Sequence, residues 1–132
     1  MKLAAGVIVT SPFDPNLILS FRRSKGNKER GASLPCGKAE IGETPLQAAV
    51  RECREETGWT VSVDDKLPFI AEEKKDGFKV YIFSASINQS IEREIFNGEE
   101  GEPVWATPED LMNGPFGEFN RDALQHFGFI KS

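Results

Sequence analysis

Five of the six residues in Arg51-Glu52-Cys53-Arg54-Glu55-Glu56 are charged, and a further glutamate, Glu43, lies just upstream. On a helix, Glu52, Glu55 and Glu56 are spaced i, i+3, i+4 and share one face. Like charges placed so closely repel and raise one another's pKa values. One account is a solvated acidic face, in which Arg51 offsets Glu55 four positions on and Arg54 offers a second partner. The other is a divalent cation held by the carboxylates. Hard cations such as Mg²⁺ take oxygen ligands and often bridge to substrate phosphates. Spacing alone does not choose between the two.

The element carrying these residues has clear ends. Thr44 suits the N-cap, because its hydroxyl accepts from an unpaired backbone N–H. Pro45 fits the first helical position, Gln47 completes a capping box, and Gly58 suits a left-handed C-cap. A helix of about three to four turns lies between them. Leu46, Val50, Cys53 and Thr57 form a stripe that faces a core.

Taken whole, Gly37 to Trp59 resembles the Nudix box, the signature of hydrolases acting on nucleoside diphosphates linked to another moiety. The matching positions are Gly37, Glu43, Arg51, Glu52, Cys53, Glu55, Glu56, Gly58 and Trp59. Cys53 and Trp59 stand where aliphatic residues are commoner. Weaker resemblance extends towards both ends of the chain. The resemblance implies an α/β/α sandwich around a mixed β-sheet and a Mg²⁺ cofactor, which Mn²⁺ could replace. It implies that Glu52, Glu55 and Glu56 hold metal, or that one of them accepts the proton of water. Glu43 is then a supporting ligand or structural acid, and Arg51 orients the carboxylates. The backbone carbonyl of Cys36, just before the box glycine, is expected in the metal shell, although relatives in the MutT branch usually carry glycine there.

The same resemblance extends to the substrate. Arg23 ends a predicted strand where relatives commonly contact phosphate, and guanidinium matches phosphate oxygens bidentately. The plainer account of Arg22-Arg23 is a solvated strand end. Gly37 and Lys38 are assigned to substrate binding. A glutamate shortly before the Trp105 strand is expected to reach the metal or the attacking water; Glu100 is preferred, then Glu99, then Glu102. Asn120 stands where relatives read a purine through a side-chain amide, and it also suits the N-cap of a closing helix.

Composition bounds these readings. A length of 132 residues is expected to form one domain, 1–132, large enough for a real core. A net charge of −5 argues against a general binder of nucleic-acid polymers but leaves room for a single nucleotide. Cys36 and Cys53 are expected to be free thiols in a reducing compartment, hence a cytoplasmic location. No long apolar run, signal peptide or low-complexity tail is evident, so no membrane partner is expected. The chain is expected to be a monomer or homodimer.

Around the box, periodicity predicts strands over 2–10 and 17–21 joined as a hairpin, then a polar loop over 24–33. After the helix comes a short β-like run over 60–63, a turn at Asp64-Asp65, and strands over 69–73 and 78–87. Aromatic residues on both faces of the last strand predict cover on both sides. A short helix follows the Thr107 cap, and a closing helix is predicted over 120–127, with His126 at the surface or capping.

The expected activity is hydrolysis of a nucleoside triphosphate to a nucleoside monophosphate and pyrophosphate, as in the MutT-like branch. An ADP-ribose or nucleotide-sugar hydrolase is a rival, but Pro68 looks too early for that branch. A dinucleoside polyphosphate hydrolase is another, but Tyr81 looks too late. A non-catalytic nucleotide sensor is a third, and such modules usually lose box acids that this chain keeps.

Overall fold

The computed structural model describes residues 2–23, 31–73, 76–95, 101–114 and 116–131. Its strands are β1 (Lys2–Val9), β2 (Ile18–Arg23), β3 (Cys36–Lys38), β4 (Val61–Glu73), β5 (Phe78–Ile87) and β6 (Gly101–Ala106). Its helices are α1 (Pro45–Thr57), α2 (Pro108–Met112) and α3 (Gly117–His126). Strands β3, β1, β5 and β4 form a mixed sheet in that order, with β1 parallel to β5 and the other pairs antiparallel. Strands β2 and β6 make a separate antiparallel pair.

Side-chain alternation along β1 and β5 builds two cores, one on each face. Ala5, Val7, Val9 and Phe83 pack against Ala48, Ala49 and Cys53 of α1. Ile8 and Ile82 turn the other way and pack with Leu111, Ala123 and Leu124 of α2 and α3. The result is the expected α/β/α arrangement, and β5 is covered on both sides as its aromatics imply. The predicted stripe on α1 faces this core: Cys53 and Thr57 are buried, and Leu46 and Val50, half-buried, pack against it. Ala48 and Ala49, outside the stripe, are fully buried as well. Small alanines let a helix approach a sheet more closely than leucine would.

Every expected cap of α1 forms. The Thr44 side chain accepts from the Gln47 N–H, Gln47 reciprocates, and Gly58 takes the left-handed conformation at φ 82°. Thr107 and Asp110 build a second capping box on α2.

Three local expectations need correction. The β1–β2 hairpin amounts to a single bridge, Thr10 to Ile18, because β1 has both edges occupied by β3 and β5. The Asp64-Asp65 turn is an irregularity inside one long strand, β4, whose register against β5 shifts between Asp64 and Phe69. The closing helix begins at Gly117, with Phe116 as an N-cap that makes no side-chain bond. His126 is exposed and lies 3.0 Å, through Nε2, from the Leu67 carbonyl. Cys36 and Cys53 are unpaired, and no helix among the described residues is long and apolar enough to cross a membrane.

The Thr44 side-chain cap is exposed and, among the described residues, bonds only the Gln47 N–H, so its contribution can be isolated. Thr44→Ala is expected to lower unfolding free energy by about 1 kcal/mol in urea titration. An unchanged midpoint and slope would show that the capping bond is idle.

Candidate active site

Three consecutive residues of β3 each meet one residue of α1. Glu56 accepts a hydrogen bond from the Cys36 N–H at 2.9 Å through Oε1. Glu52 fills the space beside Gly37, where an added Cβ would stand 2.2 Å from its carboxylate carbon. Arg51 donates through Nη2 to the Lys38 carbonyl at 2.9 Å. The outward direction of Cys36 follows from the ladder. Val7 N–H bonds the Pro35 carbonyl, and Ala39 N–H bonds the Leu3 carbonyl. Antiparallel alternation then turns the N–H and carbonyl of Cys36 away from β1.

Arg51 is the hub of the carboxylates. Its Nε donates to Glu43 at 2.8 Å and its Nη2 to the other Glu43 oxygen at 3.0 Å. Its Nη1 donates to Glu52 at 2.9 Å and to Glu55 at 3.0 Å. This bidentate pairing holds the Glu43 carboxyl below the usual range and the Arg51 guanidinium above its own. Burial raises the Glu52 carboxyl despite its bond to Arg51. Burial also pushes Glu56 up to about 7; Glu52 and Glu55 add to that, while the Cys36 N–H and the charge of Arg23 act against it. Burial pushes the Cys36 thiol up to about 12 and the Cys53 thiol up to about 11, so neither sulfur is a nucleophile at neutral pH.

The NUDIX domain pattern matches this chain over residues 1–127. The chain belongs to the Nudix family. A MutT-like protein of Streptomyces ambofaciens is 32% identical over 107 residues, 81% of this chain and 64% of the relative. The chain spans less than two thirds of the length of the curated relatives it matches, 64% of that one and 23% of a second. A Caenorhabditis elegans Ap4A hydrolase has the same fold, with a TM-score of 0.73 at 20% identity over 96% of both chains. A UDP-X diphosphatase superposes with a TM-score of 0.72 at 15% identity, over 97% of this chain and 63% of that one.

Of the residues singled out from the sequence, the structure gathers Glu43, Arg51, Glu52, Glu55, Glu56, Gly37 and the Cys36 backbone in one place. Arg23 is exposed at the end of β2, with its charge felt at Glu56. Lys38 contributes its carbonyl, while its ammonium lies 5.5 Å from the Phe78 ring centroid. That is the face of β3 opposite Gly37's approach to Glu52. Arg54 does not pair within the cluster; it donates to Glu94 at 2.8 Å. Glu99 and Glu100 lie outside the described residues, and Glu102 is exposed on β6 opposite Arg22.

Asn120 is a correction. It is buried inside α3, and its Nδ2 donates to the Leu111 carbonyl at 2.9 Å. It does not cap the helix, whose N-cap is Phe116; one N–H of its amide instead ties α3 to α2. Sequence reasoning also passed over the role of Gly37 as the gap that admits Glu52. A glycine facing a helix glutamate across a short strand was the available signal.

Nudix hydrolases generally use a divalent metal, and the donor set here fits a hard cation. Its atoms are carboxylate oxygens and an outward strand carbonyl, and Glu56 bears the desolvation penalty that a nearby cation relieves. Among the described residues no three His, Cys, Asp or Glu side chains converge into a ready cage.

Two outcomes follow for the metal-free protein. Folded Glu56 keeps its proton to about pH 7, against about 4.5 for the ordinary carboxyl. The folded state therefore binds the extra proton between those values, and stability falls as pH rises through that window. Glu56→Gln should remove most of this slope and stabilise the metal-free protein above pH 7 by up to roughly 3 kcal/mol. Identical pH slopes in parent and variant would contradict the buried carboxylate. Separately, Gly37→Ala would displace the mobile end of Glu52 and leave the backbone in place. Turnover should fall with little change in melting temperature.

Proposed function

We propose that this chain hydrolyses a phosphoric anhydride bond of a nucleoside polyphosphate with a divalent cation, Mg²⁺ or Mn²⁺. The observation that carries the reading is the half-buried Glu56 carboxylate, set beside Glu52 and the Arg51 hub with the outward Cys36 carbonyl adjacent. Such a cluster is costly without a cation and apt with one. Glu52, Glu55, Glu56 and the Cys36 carbonyl would hold the metal. When bound, it would neutralise phosphate charge and acidify a water molecule.

The chain's own residues supply the rest. Arg51 holds Glu43, Glu52 and Glu55 in one arrangement, so their charges are in place before substrate arrives. A glutamate of this cluster, Glu52 or Glu55, accepts the proton as water oxygen attacks phosphorus. The phosphorus–oxygen bond of the anhydride breaks, and the leaving fragment, pyrophosphate or nucleoside monophosphate according to which phosphorus is attacked, departs with the electron pair. Arg23, exposed at the end of β2, binds phosphate oxygens of the substrate. A nucleoside triphosphate, cleaved to a nucleoside monophosphate and pyrophosphate, is the preferred substrate. The MutT-like relative supports that choice. Asn120 adds less, since one N–H of its amide is spent on the Leu111 carbonyl.

A panel of canonical and oxidised dNTPs, ADP-ribose and dinucleoside polyphosphates, incubated with Mg²⁺ and resolved by ion exchange, tests the reading. The expected result is nucleoside monophosphate plus pyrophosphate from a triphosphate, with turnover cut by roughly 100-fold or more in Glu52→Gln and Glu56→Gln. Faster cleavage of ADP-ribose or a dinucleoside polyphosphate would move the substrate assignment. Tight binding of one nucleotide with no turnover of any would replace the enzyme with a sensor.

A further inference from the structure

The last carbonyls of a helix lack intrahelical donors, and cations are favoured at that end. In α1 the carbonyls of its last residue, Thr57, and of its C-cap, Gly58, are taken by a distant segment. Arg93 donates through Nε to the Thr57 carbonyl at 2.9 Å, and the Glu94 N–H donates to the Gly58 carbonyl at 2.9 Å. The Arg93 guanidinium also lies 5.9 Å from the Trp59 ring centroid. On the same side, Arg54 donates to Glu94 at 2.8 Å.

Gly58 is required twice over. Its φ of +82° favours glycine, and a Cβ there would stand 2.0 Å from the Glu94 carbonyl oxygen. The two backbones touch at a distance that no other residue permits. The Arg54–Glu94 pair is largely exposed and contributes little alone. Arg93 is partly buried and bonds a backbone group, so it is the firmer half of the clamp.

Glu55 and Glu56 belong to the turn that this clamp closes. At its other side the cluster is fixed by Arg51 on Lys38. We propose that Arg93 is a positioning residue for the carboxylate cluster, holding the last turn of α1 so that Glu55 and Glu56 keep their aim towards a divalent cation. The proposal rests on the function argued above and adds a residue outside the family box to it.

The test measures Mn²⁺ binding to the substrate-free protein by electron paramagnetic resonance, together with kcat and KM, in the parent, Arg93→Ala, Arg93→Lys and Arg93→Met. Arg93→Ala should weaken Mn²⁺ binding and lower kcat by about 10-fold each, with KM within about twofold of the parent. Arg93→Lys keeps a charge and a donor and should recover part of both losses. Parental Mn²⁺ affinity and kcat in Arg93→Ala, at a temperature where it is folded, would overturn the proposal and leave Arg93 a stabilising residue only. If Arg93→Ala does not fold, Arg93→Met decides in the same way, because it keeps an apolar stem beside Gly58 and loses the donor. Absence of Mn²⁺ binding by the parent would instead overturn the proposed function, a result distinct from failure of the clamp.

Discussion

The Arg51 guanidinium donates to Glu43, Glu52 and Glu55 and to the Lys38 carbonyl, and the site depends on that one arrangement. Without it, Glu52 and Glu55 would stand beside Glu56 on one side of the helix with no paired cation of their own. With it, the acidic residues are held in fixed relation to a strand. The pairing is partly shielded from solvent at Glu43 and Glu52, where side-chain exposures are 14% and 17%. Glu55 is open at 57%. Screening is therefore weaker at the inner pairs, and the same charges have more influence there.

The surrounding fold makes this contact possible. β1 holds β3 in register, so Cys36, Gly37 and Lys38 are presented to α1 as a unit. Ala48 and Ala49 bring the helix close to β1. Gly37 leaves room for Glu52 at the closest point. The order of contacts, Cys36 with Glu56, Gly37 with Glu52 and Lys38 with Arg51, runs antiparallel to the helix. A shift of one residue along the strand would break all three, since alternate strand residues face opposite sides. The opposite face of the sheet is packed by α2 and α3, and Asn120 contributes to that packing.

Legibility from sequence followed the range of the interactions. Thr44, Pro45, Gln47 and Gly58 act through neighbours three or four positions away, so α1 and its caps could be read directly. The box acids were legible because their spacing resembles a known pattern. Partner choice across the fold was not. Arg54 sits one residue from Glu55, yet its partner is Glu94, forty positions on. Asn120 shows the same limit: an asparagine beside a predicted helix start suits a cap, yet here it lies inside the helix and is tied to α2. The β1–β2 hairpin failed because sheet membership depends on β5, which comes much later in the chain. The long β4 was read as two pieces because its irregular stretch carries Asp64, Asp65 and Pro68, residues that usually mark turns.

The central claim is that the face of α1 towards β3 is a cation site. A crystal of the protein grown with Mn²⁺ and measured for anomalous scattering tests this most directly. The account predicts a peak bounded by Glu52, Glu55, Glu56 and the Cys36 carbonyl, with manganese–oxygen distances near 2.2 Å, roughly those of hard divalent cations. A peak elsewhere on the protein, with the Arg51-centred carboxylates unchanged, would contradict it.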